Sequence, residues 1–307
     1  MAWTWRPWRR KPRNGLVLAL GGGGARGIAH LGVLAAIEEA GLPVAAVAGT
    51  SAGAVAGAMW LALGGAEAAI ARWREFMASG LLPASLPDTR LGDDVSARDS
   101  LILQFGRRLR KGTALALALN RHSLVAEEEF DRSIAFLLPD VPAESLRLPF
   151  AAVVTDFFTG VPVALRSGPL RELVAASSAI PGVLPPRRVG ARFLVDGGVV
   201  ADVPVEQAHG LLCGPVVAVD AGEMPGPERP EDIGIPRALL RAGVITHHAL
   251  RQRLLGGADV VLEPAVKDIH WSEFERAEVA IAAGRREVTA RIPDLRRILG
   301  HRVRGYR

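Results

Sequence analysis

The first 65 residues alternate apolar runs with small-residue turns and helical patterns, and this alternation restricts the fold more than any other feature of the chain. The order is strand, glycine loop, helix, strand, sharp turn and helix, in residues 16–20, 21–27, 28–40, 44–48, 49–53 and 54–63. Strands separated by helices form parallel sheets that are covered by helices on both faces. The sequence therefore predicts an α/β protein, a three-layer α/β/α variant of the Rossmann-like arrangement with a mainly parallel central sheet.

The remainder of the chain suggests one main domain with an insertion. Residues 66–147 are mostly helical in pattern and more polar, and we predict that they form a cap-like insertion over the catalytic edge of the sheet. Apolar runs typical of strands return at residues 148–155, 193–195 and 216–219. We place the domain at residues 15–290, between a basic Trp/Arg-rich tail at 1–14 and a basic C-terminal tail at 291–307.

The positive charge of the chain is clustered. The net charge is +5, and basic residues concentrate in residues 1–14, 107–111 and 291–307. Such clusters attract anionic surfaces, either a membrane or a nucleic acid. The mixture of Trp and Arg in the first cluster favours a bilayer interface, where indole rings bind well, with a solvated tail as the alternative. We therefore expect no nucleic-acid partner and leave peripheral membrane contact open. Residues 107–111 fit either a membrane-facing lid or ordinary cap packing.

Three further features bear on location and redox chemistry. No apolar run typical of a signal sequence precedes Leu16, so the sequence predicts a cytoplasmic protein, with peripheral attachment at the inner membrane face as an option. Residues 40–66 contain no charged residue, but their Gly and Pro breaks indicate buried core rather than a membrane span. The single cysteine, Cys213, excludes an internal disulfide and is interpreted as a small buried apolar residue.

A G-x-S-x-G sequence joins the second apolar run to the following helix, in Gly49-Thr50-Ser51-Ala52-Gly53. In this context a tight turn exposes the serine hydroxyl and directs the positive end of the helix dipole at it. Gly49 and Gly53 allow the strand and the helix to approach closely. Ser51 is therefore the candidate nucleophile, with a simple packing turn as the alternative.

The glycine loop that follows the first strand, residues 21–27, has three interpretations. It is not a P-loop, because no Lys-Ser/Thr pair follows the glycines. Gly22, Gly24 and Gly27 match a dinucleotide fingerprint, but the second strand ends in Thr50-Ser51 instead of the acid that would bind a ribose. As an oxyanion hole, the loop would direct backbone N–H groups at a developing negative charge beside Ser51. The third interpretation fits both motifs at once.

No histidine lies at a position in the sequence that suits the base that would activate Ser51. None of the seven histidines follows a strand, and His30, one turn into the first helix, is expected to be packed there. Asp196 follows the run Phe193–Val195 and precedes Gly197-Gly198, which places a carboxylate at the edge where α/β active sites form. Asp220 also ends a strand and is the rival candidate.

Together these blocks resemble the three signature blocks of patatin-like phospholipases: Gly22-Gly-Gly-Ala-Arg-Gly27, Gly49-Thr-Ser-Ala-Gly53 and Asp196-Gly-Gly198. Three lesser stretches agree with the same family, at residues 155–160, 176–182 and 258–262. The resemblance covers residues 16–284 and is greatest to bacterial single-domain members related to neuropathy-target-esterase-type lysophospholipases. It implies a patatin-like fold for the domain.

The resemblance also implies a mechanism. In such enzymes a Ser–Asp dyad works without a catalytic histidine, so Ser51 would attack an ester carbonyl and Asp196 would take its proton. Gly22, Gly23 and Gly24 would supply the oxyanion donors, and two further loop positions, Arg26 and Gly27, would complete that loop. Arg26 is expected to steady it. Water would hydrolyse the acyl-enzyme, with no metal or cofactor. Because a solvated aspartate is a poor base for a hydroxyl, the pKa of Asp196 should be raised by an apolar pocket.

Three functions remain open at this point. The leading hypothesis is an acyl-ester hydrolase of phospholipid or lysophospholipid, in lipid metabolism. The second is a carboxylesterase or thioesterase acting on non-lipid substrates. The third is a regulatory protein on a hydrolase fold, because a fold does not determine a function. One departure from the family pattern is Gly21, where many members have an acidic residue.

Overall fold

Eight strands form one sheet at the centre of the computed structural model, which describes residues 15–83, 123–222 and 235–303. The strands are β1 Leu16–Leu20, β2 Val44–Thr50, β3 Phe150–Asp156, β4 Pro162–Leu165, β5 Arg187–Val189, β6 Arg192–Asp196, β7 Val216–Val219 and β8 Val260–Leu262. Hydrogen-bonded neighbours follow the path β5-β6-β3-β2-β1-β7-β8, and β4 also pairs with β3. Strands β2 and β6 follow one another along one edge of β3, and β4 pairs with the other edge. The pairs β3–β2, β2–β1, β1–β7 and β7–β8 are parallel. The pairs β3–β4, β3–β6 and β5–β6 are antiparallel.

Helices cover both faces of this sheet. They are α1 Ala29–Glu39, α2 Ala52–Ala62, α3 Ala66–Ser79, α4 Glu127–Leu137, α5 Leu170–Ser177, α6 Val205–His209, α7 Ile235–Leu255 and α8 Ala277–Val303. Successive strand residues face opposite sides, so Leu16 and Leu18 pack in a core with α1, α2 and α8, while Val17 and Ala19 pack against α6. The three-layer α/β/α prediction with a mainly parallel sheet is confirmed.

The structure extends the sheet and the last helix beyond the sequence expectations. The sequence analysis assigned no strand to β4 or β5, because short segments such as Arg187-Arg188-Val189 carry no apolar alternation. Helix α8 runs through the boundary drawn at residue 290 and contains Leu295, whose side chain is fully buried. The residues after 290 therefore continue a packed helix as far as 303, and do not begin a separate tail there.

Several other expectations can be compared with the structure. Cys213 is exposed rather than buried, because it lies in the turn before β7 and not within the strand. Residues 44–62 of the uncharged stretch form β2 and α2 and are largely buried, as predicted. The tail 1–14 and the basic residues 107–111 lie outside the described residues.

No single helix in residues 15–83, 123–222 and 235–303 is long and apolar enough to cross a bilayer. Helices α2 and α3 reach that length and hydropathy only when taken together, and they are bent by 119° at their junction.

Candidate active site

Ser51 is the single residue that links β2 to α2, and its backbone is strained. Its φ of 52° and ψ of −121° make it the one non-glycine residue with positive φ in the described parts of the chain. Such a conformation costs on the order of 1–3 kcal/mol and is typical of functional sites. An ideal Cβ on Gly53 would lie 2.2 Å from the Leu20 carbonyl oxygen, and one on Gly49 would lie 2.6 Å from Ala54 Cα. Glycine is therefore required on both sides of Ser51.

A second serine holds this turn in place. The Ser51 N–H donates to Ser177 Oγ at 3.0 Å, and the Ser177 hydroxyl donates to the Val153 carbonyl at 2.6 Å. Ser177 ends α5 and is fully buried. Sequence reasoning gave it no role, although it falls in the 176–182 stretch that resembles the family. It ties the nucleophile turn to β3.

The register of β3 brings Asp196 next to Ser51. The last residue of β2, Thr50, pairs with Val153, and Asp196 of β6 pairs with the next residue, Val154. Strand β2 stops pairing with β3 at Val153, and β6 pairs with the same edge of β3 from Val154 onward. A Cβ on Gly197 would lie 2.3 Å from the Val153 carbonyl oxygen, so the chain after Asp196 also passes close to β3.

The Ser51 and Asp196 side chains interact in a buried environment. Both are more than nine-tenths buried, and they lie close enough for the Ser51 side chain to influence the pKa of Asp196. Burial raises the pKa of Asp196 from the ordinary 3.8 to about 7, and the negative charge of Asp202 adds to the rise. The interactions with Ser51 and with the Gly198 N–H, at 2.7 Å, act in the opposite direction. The direction of this shift is the one expected for this carboxylate, and a group that titrates near neutrality is suited to accept a hydroxyl proton.

The glycine loop lies against Ser51, the candidate nucleophile, but its donors differ from expectation. The Gly22 N–H donates to the Asp202 carbonyl at 2.9 Å and is therefore already occupied. For Gly23 and Gly24, no backbone acceptor is present among the described residues, so their N–H groups remain as candidate oxyanion donors. An ideal Cβ on Gly22 would lie 2.7 Å from Asp202 Oδ1 and 3.7 Å from Ser51 Cβ. Gly22 therefore provides space beside Ser51 rather than an N–H group.

The rest of the loop is anchored to the segment before the last helix. Residues 24–28 form a 3₁₀ turn in which Ala25 N–H donates to the Trp271 carbonyl at 2.7 Å. Arg26 is buried, and its Nη1 lies 3.4 Å from the Ile269 carbonyl oxygen. A Cβ on Gly27 would lie 2.4 Å from Ala52 Cβ. Arg26 thus lies where it can steady the loop, and Gly27 allows the loop to contact the start of α2.

A buried ion-pair network lies behind the dyad, and sequence reasoning missed it. Arg251 of α7 is 2% exposed and lies between two carboxylates, with Nη1 3.4 Å from Asp202 and Nε 3.4 Å from Asp220. Asp220, the rival candidate for the base, is therefore paired with Arg251, whereas Asp196 is the carboxylate that interacts with Ser51. His247 donates from Nε2 to the Gly198 carbonyl at 2.8 Å, which connects α7 to the turn after Asp196.

His30 is a structural histidine, as predicted. It is fully buried, and its Nε2 lies 2.8 Å from the Gly21 carbonyl oxygen, so the N–H on Nε2 donates to the glycine loop. Burial lowers the pKa of His30 to about 4, and the imidazole is neutral at physiological pH. Within the described residues, no group of three or more His, Cys, Asp or Glu side chains is arranged to hold a metal ion.

Ser51 lines an apolar cavity whose empty space, including the part open to solvent, is about 940 Å³. One face of α2 forms a wall, through Ala52, Val55, Ala56 and Met59. The opposite walls come from α3, α4, the 180–184 loop and the segment before α8, with Trp73, Phe76, Phe130, Ile134, Leu184 and Trp271. The described parts of the 66–147 insertion therefore border the cavity. The arrangement places a strained serine and the glycine loop against an apolar space, with a raised-pKa carboxylate beside the serine.

Similarity to known proteins covers the part of the chain that builds this site. A family model described as patatin-like phospholipase matches residues 18–209. A Mycobacterium tuberculosis protein named as an uncharacterized NTE family protein is 30% identical over 239 residues, which cover 76% of this chain and 57% of that protein. Human patatin-like phospholipase domain-containing protein 6 is 32% identical over 214 residues, or 68% of this chain and 13% of that protein. The chain thus spans just over half the length of the mycobacterial relative.

A solved structure agrees with this at the level of the fold. The crystal structure of VipD from Legionella pneumophila matches with a TM-score of 0.50 at 15% identity, and the match covers 93% of this chain and 67% of that chain. Because the family model matches more than half of the residues and relatives reach 30% identity or more, the chain belongs to the patatin-like phospholipase family.

Proposed function

We propose that this protein is a serine acyl-ester hydrolase of the phospholipase or lysophospholipase type, acting in lipid metabolism through a Ser51–Asp196 dyad. The observation that carries the proposal is the placement of buried Ser51 and Asp196 beside one another, with Ser51 lining the apolar cavity. Membership of the patatin-like phospholipase family supports a lipid ester as the substrate.

The proposed reaction has two stages. Ionised Asp196 takes the proton from Ser51 Oγ, which attacks the ester carbonyl carbon, and the carbonyl oxygen becomes an oxyanion that accepts hydrogen bonds from the Gly23 and Gly24 N–H groups. The intermediate collapses, the ester C–O bond breaks, and protonated Asp196 returns the proton to the departing alcohol. Water, deprotonated by Asp196, then attacks the acyl carbonyl, the bond from the acyl carbon to Ser51 Oγ breaks, and protonated Asp196 returns the proton to Ser51 as the carboxylic acid leaves. No step requires a metal or a cofactor.

The shape of the cavity supports an acyl chain rather than a small acyl group. The wall formed by α2 runs from Ala52 to Met59 and is about 10 Å long, at 1.5 Å per residue. The side chains that line the cavity from this wall are apolar. Initial rates on lysophospholipid and on p-nitrophenyl esters of short and long acids will test the proposal. Higher kcat/KM on long chains and lysophospholipid supports a lipid hydrolase. A preference for short esters would instead favour a carboxylesterase or thioesterase, and inert wild-type protein would favour a regulatory role.

Filling the cavity at Ala56 is expected to change chain-length preference. Ala56 is 3% exposed and lines the wall of α2, so the ring in Ala56→Phe will occupy space that a long acyl chain needs. We expect kcat/KM for long-chain esters to fall by roughly tenfold or more, with short esters changed by less than about threefold. Ala71→Phe adds the same ring at an exposed position on α3 and should alter neither. Equal losses on short and long esters would contradict an acyl-chain cavity.

Removal of the Asp202 charge is expected to shift the pH profile. If Asp196 is the base, kcat/KM of the wild type rises as Asp196 ionises, near its pKa of about 7. The charge of Asp202 raises that pKa. In Asp202→Asn, the rise of kcat/KM on the acidic side of the pH profile, here called the acid limb, should therefore occur at lower pH. The same substitution frees the positive charge of Arg251 from its ion pair with Asp202, and this also lowers the pKa of Asp196. Glu206→Gln, a neutralisation at an exposed position of α6, should leave the limb in place. A limb that stays or moves upward in Asp202→Asn would contradict this role.

The location of the protein stays a prediction. We propose a cytoplasmic protein in which residues 1–14 contact the inner membrane face through their Trp and Arg side chains. Deletion of residues 1–14 should weaken binding to anionic vesicles, and unchanged binding would remove the basis for this role of the tail. Nucleic acid is not expected as a partner.

A further inference from the structure

The turn between β3 and β4 exposes apolar side chains that the dyad and the cavity do not use. Phe157 is 55% exposed, Phe158 is 74% exposed and Val161 is 54% exposed, all within five consecutive residues. Isolated exposed apolar residues are common on protein surfaces, but two adjacent aromatic rings and a valine form a contiguous group. We call Phe157, Phe158 and Val161 the aromatic turn.

The aromatic turn is held in one conformation by hydrogen bonds. Asp156 Oδ1 accepts from the N–H groups of Phe158 and Thr159, at 3.2 and 3.3 Å. The Phe157 N–H donates to the Phe193 carbonyl at 2.8 Å, and the Gly160 N–H donates to the Asp156 carbonyl at 2.8 Å. The backbone is therefore fixed while the rings face solvent, so their exposure does not result from a loosely held loop.

Neighbouring side chains enlarge the group and give it positive charge. The Phe158 ring lies 5.8 Å from that of Phe157 and 5.7 Å from that of Phe193, and the Arg188 guanidinium lies 5.5 Å from the centre of the Phe193 ring. Arg192 is exposed and lies 3.9 Å from Asp156. Arg192 and Phe193 are consecutive in β6, so Arg192 faces the opposite side from the Phe193 ring. The surface thus combines aromatic rings with one exposed cation, Arg188.

Acidic side chains lie on the other face of β5. Arg188 pairs with Phe193 across the β5–β6 hairpin, so both side chains share one face. Arg187 faces the opposite way and binds Glu127 and Asp131 of α4, each at 2.6 Å. Strand alternation therefore separates Arg188 and the aromatic rings from these two carboxylates.

The aromatic turn extends from the same sheet edge as the catalytic residues. Strand β6 begins beside the turn and runs inward, since Leu194 pairs with Asp156 and Asp196 pairs with Val154. Phe193 and Asp196 are three positions apart in the sequence, or roughly 10 Å along a strand. A surface bound by the aromatic turn would therefore lie close to the entrance of the site.

We propose that the aromatic turn, with Arg188, docks the protein on the surface of an anionic phospholipid bilayer. The choice of a lipid surface rests on the proposed function, and the side chains fit it. Aromatic and aliphatic groups bury at the boundary of headgroups and acyl chains, while arginines bind lipid phosphates. Docking there brings the sheet edge with Ser51 and Asp196 to the membrane, where a lipid ester can enter the cavity.

Vesicle co-sedimentation of the full chain will test this docking surface. With equimolar phosphatidylglycerol and phosphatidylcholine, we expect the double variant Phe157→Ser/Phe158→Ser to bind about tenfold more weakly than the wild type or worse, because two rings no longer bury. Arg188→Gln should weaken binding to these vesicles but not to pure phosphatidylcholine. Val279→Ser removes an exposed apolar side chain from α8 and should bind like the wild type. Hydrolysis of a soluble short ester should be unchanged in all three variants.

The outcomes separate this proposal from the proposed function. If the Phe double variant binds vesicles as tightly as the wild type, the docking surface is wrong even when the protein hydrolyses esters. If the wild type hydrolyses no ester but its vesicle binding depends on the two Phe rings, the docking surface stands and the proposed function fails. Loss of a wild-type oligomer in the double variant, with vesicle binding unchanged, would identify the face as a contact between copies of this chain.

Discussion

Ser51→Ala is expected to reduce ester hydrolysis by roughly 10⁴-fold or more, because it removes the atom that forms the acyl-enzyme. The variant should remain folded. The interaction that fixes the turn is made by the Ser51 backbone N–H, which donates to Ser177 and is retained in alanine. Initial rates on lysophospholipid and on a p-nitrophenyl ester will measure the loss, and circular dichroism will confirm that the fold persists.

Ser178→Ala is a matched control for this prediction. Ser178 also lines the cavity, and its buried hydroxyl makes no hydrogen bond within the part of the chain that the structure describes. Its removal should cost little stability and change kcat/KM by less than about threefold. A folded Ser51→Ala protein that retains wild-type activity would show that another residue is the nucleophile.

Asp196→Asn is expected to reduce hydrolysis by about 10³-fold or more, since asparagine cannot accept the Ser51 proton. Its amide oxygen can still accept from the Gly198 N–H, which Asp196 Oδ1 binds at 2.7 Å, so the local backbone should be kept. A residual rate that no longer depends on pH near 7 would assign the acid limb to Asp196.

The same substitution should stabilise the protein at alkaline pH. The pKa of Asp196 is about 7 in the folded state and 3.8 ordinarily, a difference that corresponds to roughly 4 kcal/mol. Because the folded pKa is raised, this contribution to the free energy of unfolding is fully present below pH 3.8 and is lost as pH rises through about 7. Asp196→Asn has no charge to bury. Its melting temperature should therefore exceed that of the wild type by several degrees above pH 7, and much less near pH 4.

The difference in stability between the wild type and Asp196→Asn isolates the contribution of Asp196 from those of other titrating groups. The pKa of buried His30 is lowered to about 4, so its contribution is present above pH 6.5 and is lost as pH falls through 4, in both proteins alike. A wild type that is more stable than Asp196→Asn at pH 8 would contradict the burial of an ionised Asp196.

The parts of the site that could be predicted from sequence are those encoded in short segments. The G-x-S-x-G turn and the glycine loop each lie between a strand and a helix, and Asp196 ends an apolar run, so each is recognisable within about ten residues. That Asp196 rather than Asp220 interacts with Ser51 depends on the register of β6 against β3, which no local pattern contains.

The features that sequence reasoning missed depend on contacts between distant segments. Arg251 binds Asp202 across 49 residues, and Ser177 binds Ser51 across 126 residues. The Gly22 N–H was assigned to the oxyanion because its loop was considered without Asp202, whose carbonyl accepts it. A charged residue in a helical pattern such as α7 usually indicates a solvated face, and only the fold reveals that Arg251 is buried.

The most direct test of the central claim is covalent labelling with a fluorophosphonate, followed by peptide mass spectrometry. The account predicts one phosphonyl adduct on the peptide that contains Ser51, formed faster as pH rises through about 7 in the wild type and much more slowly in Asp196→Asn. An adduct on Ser177, Ser178 or any other residue, or no adduct in protein that is folded, would contradict the assignment of Ser51 as the nucleophile of a serine hydrolase.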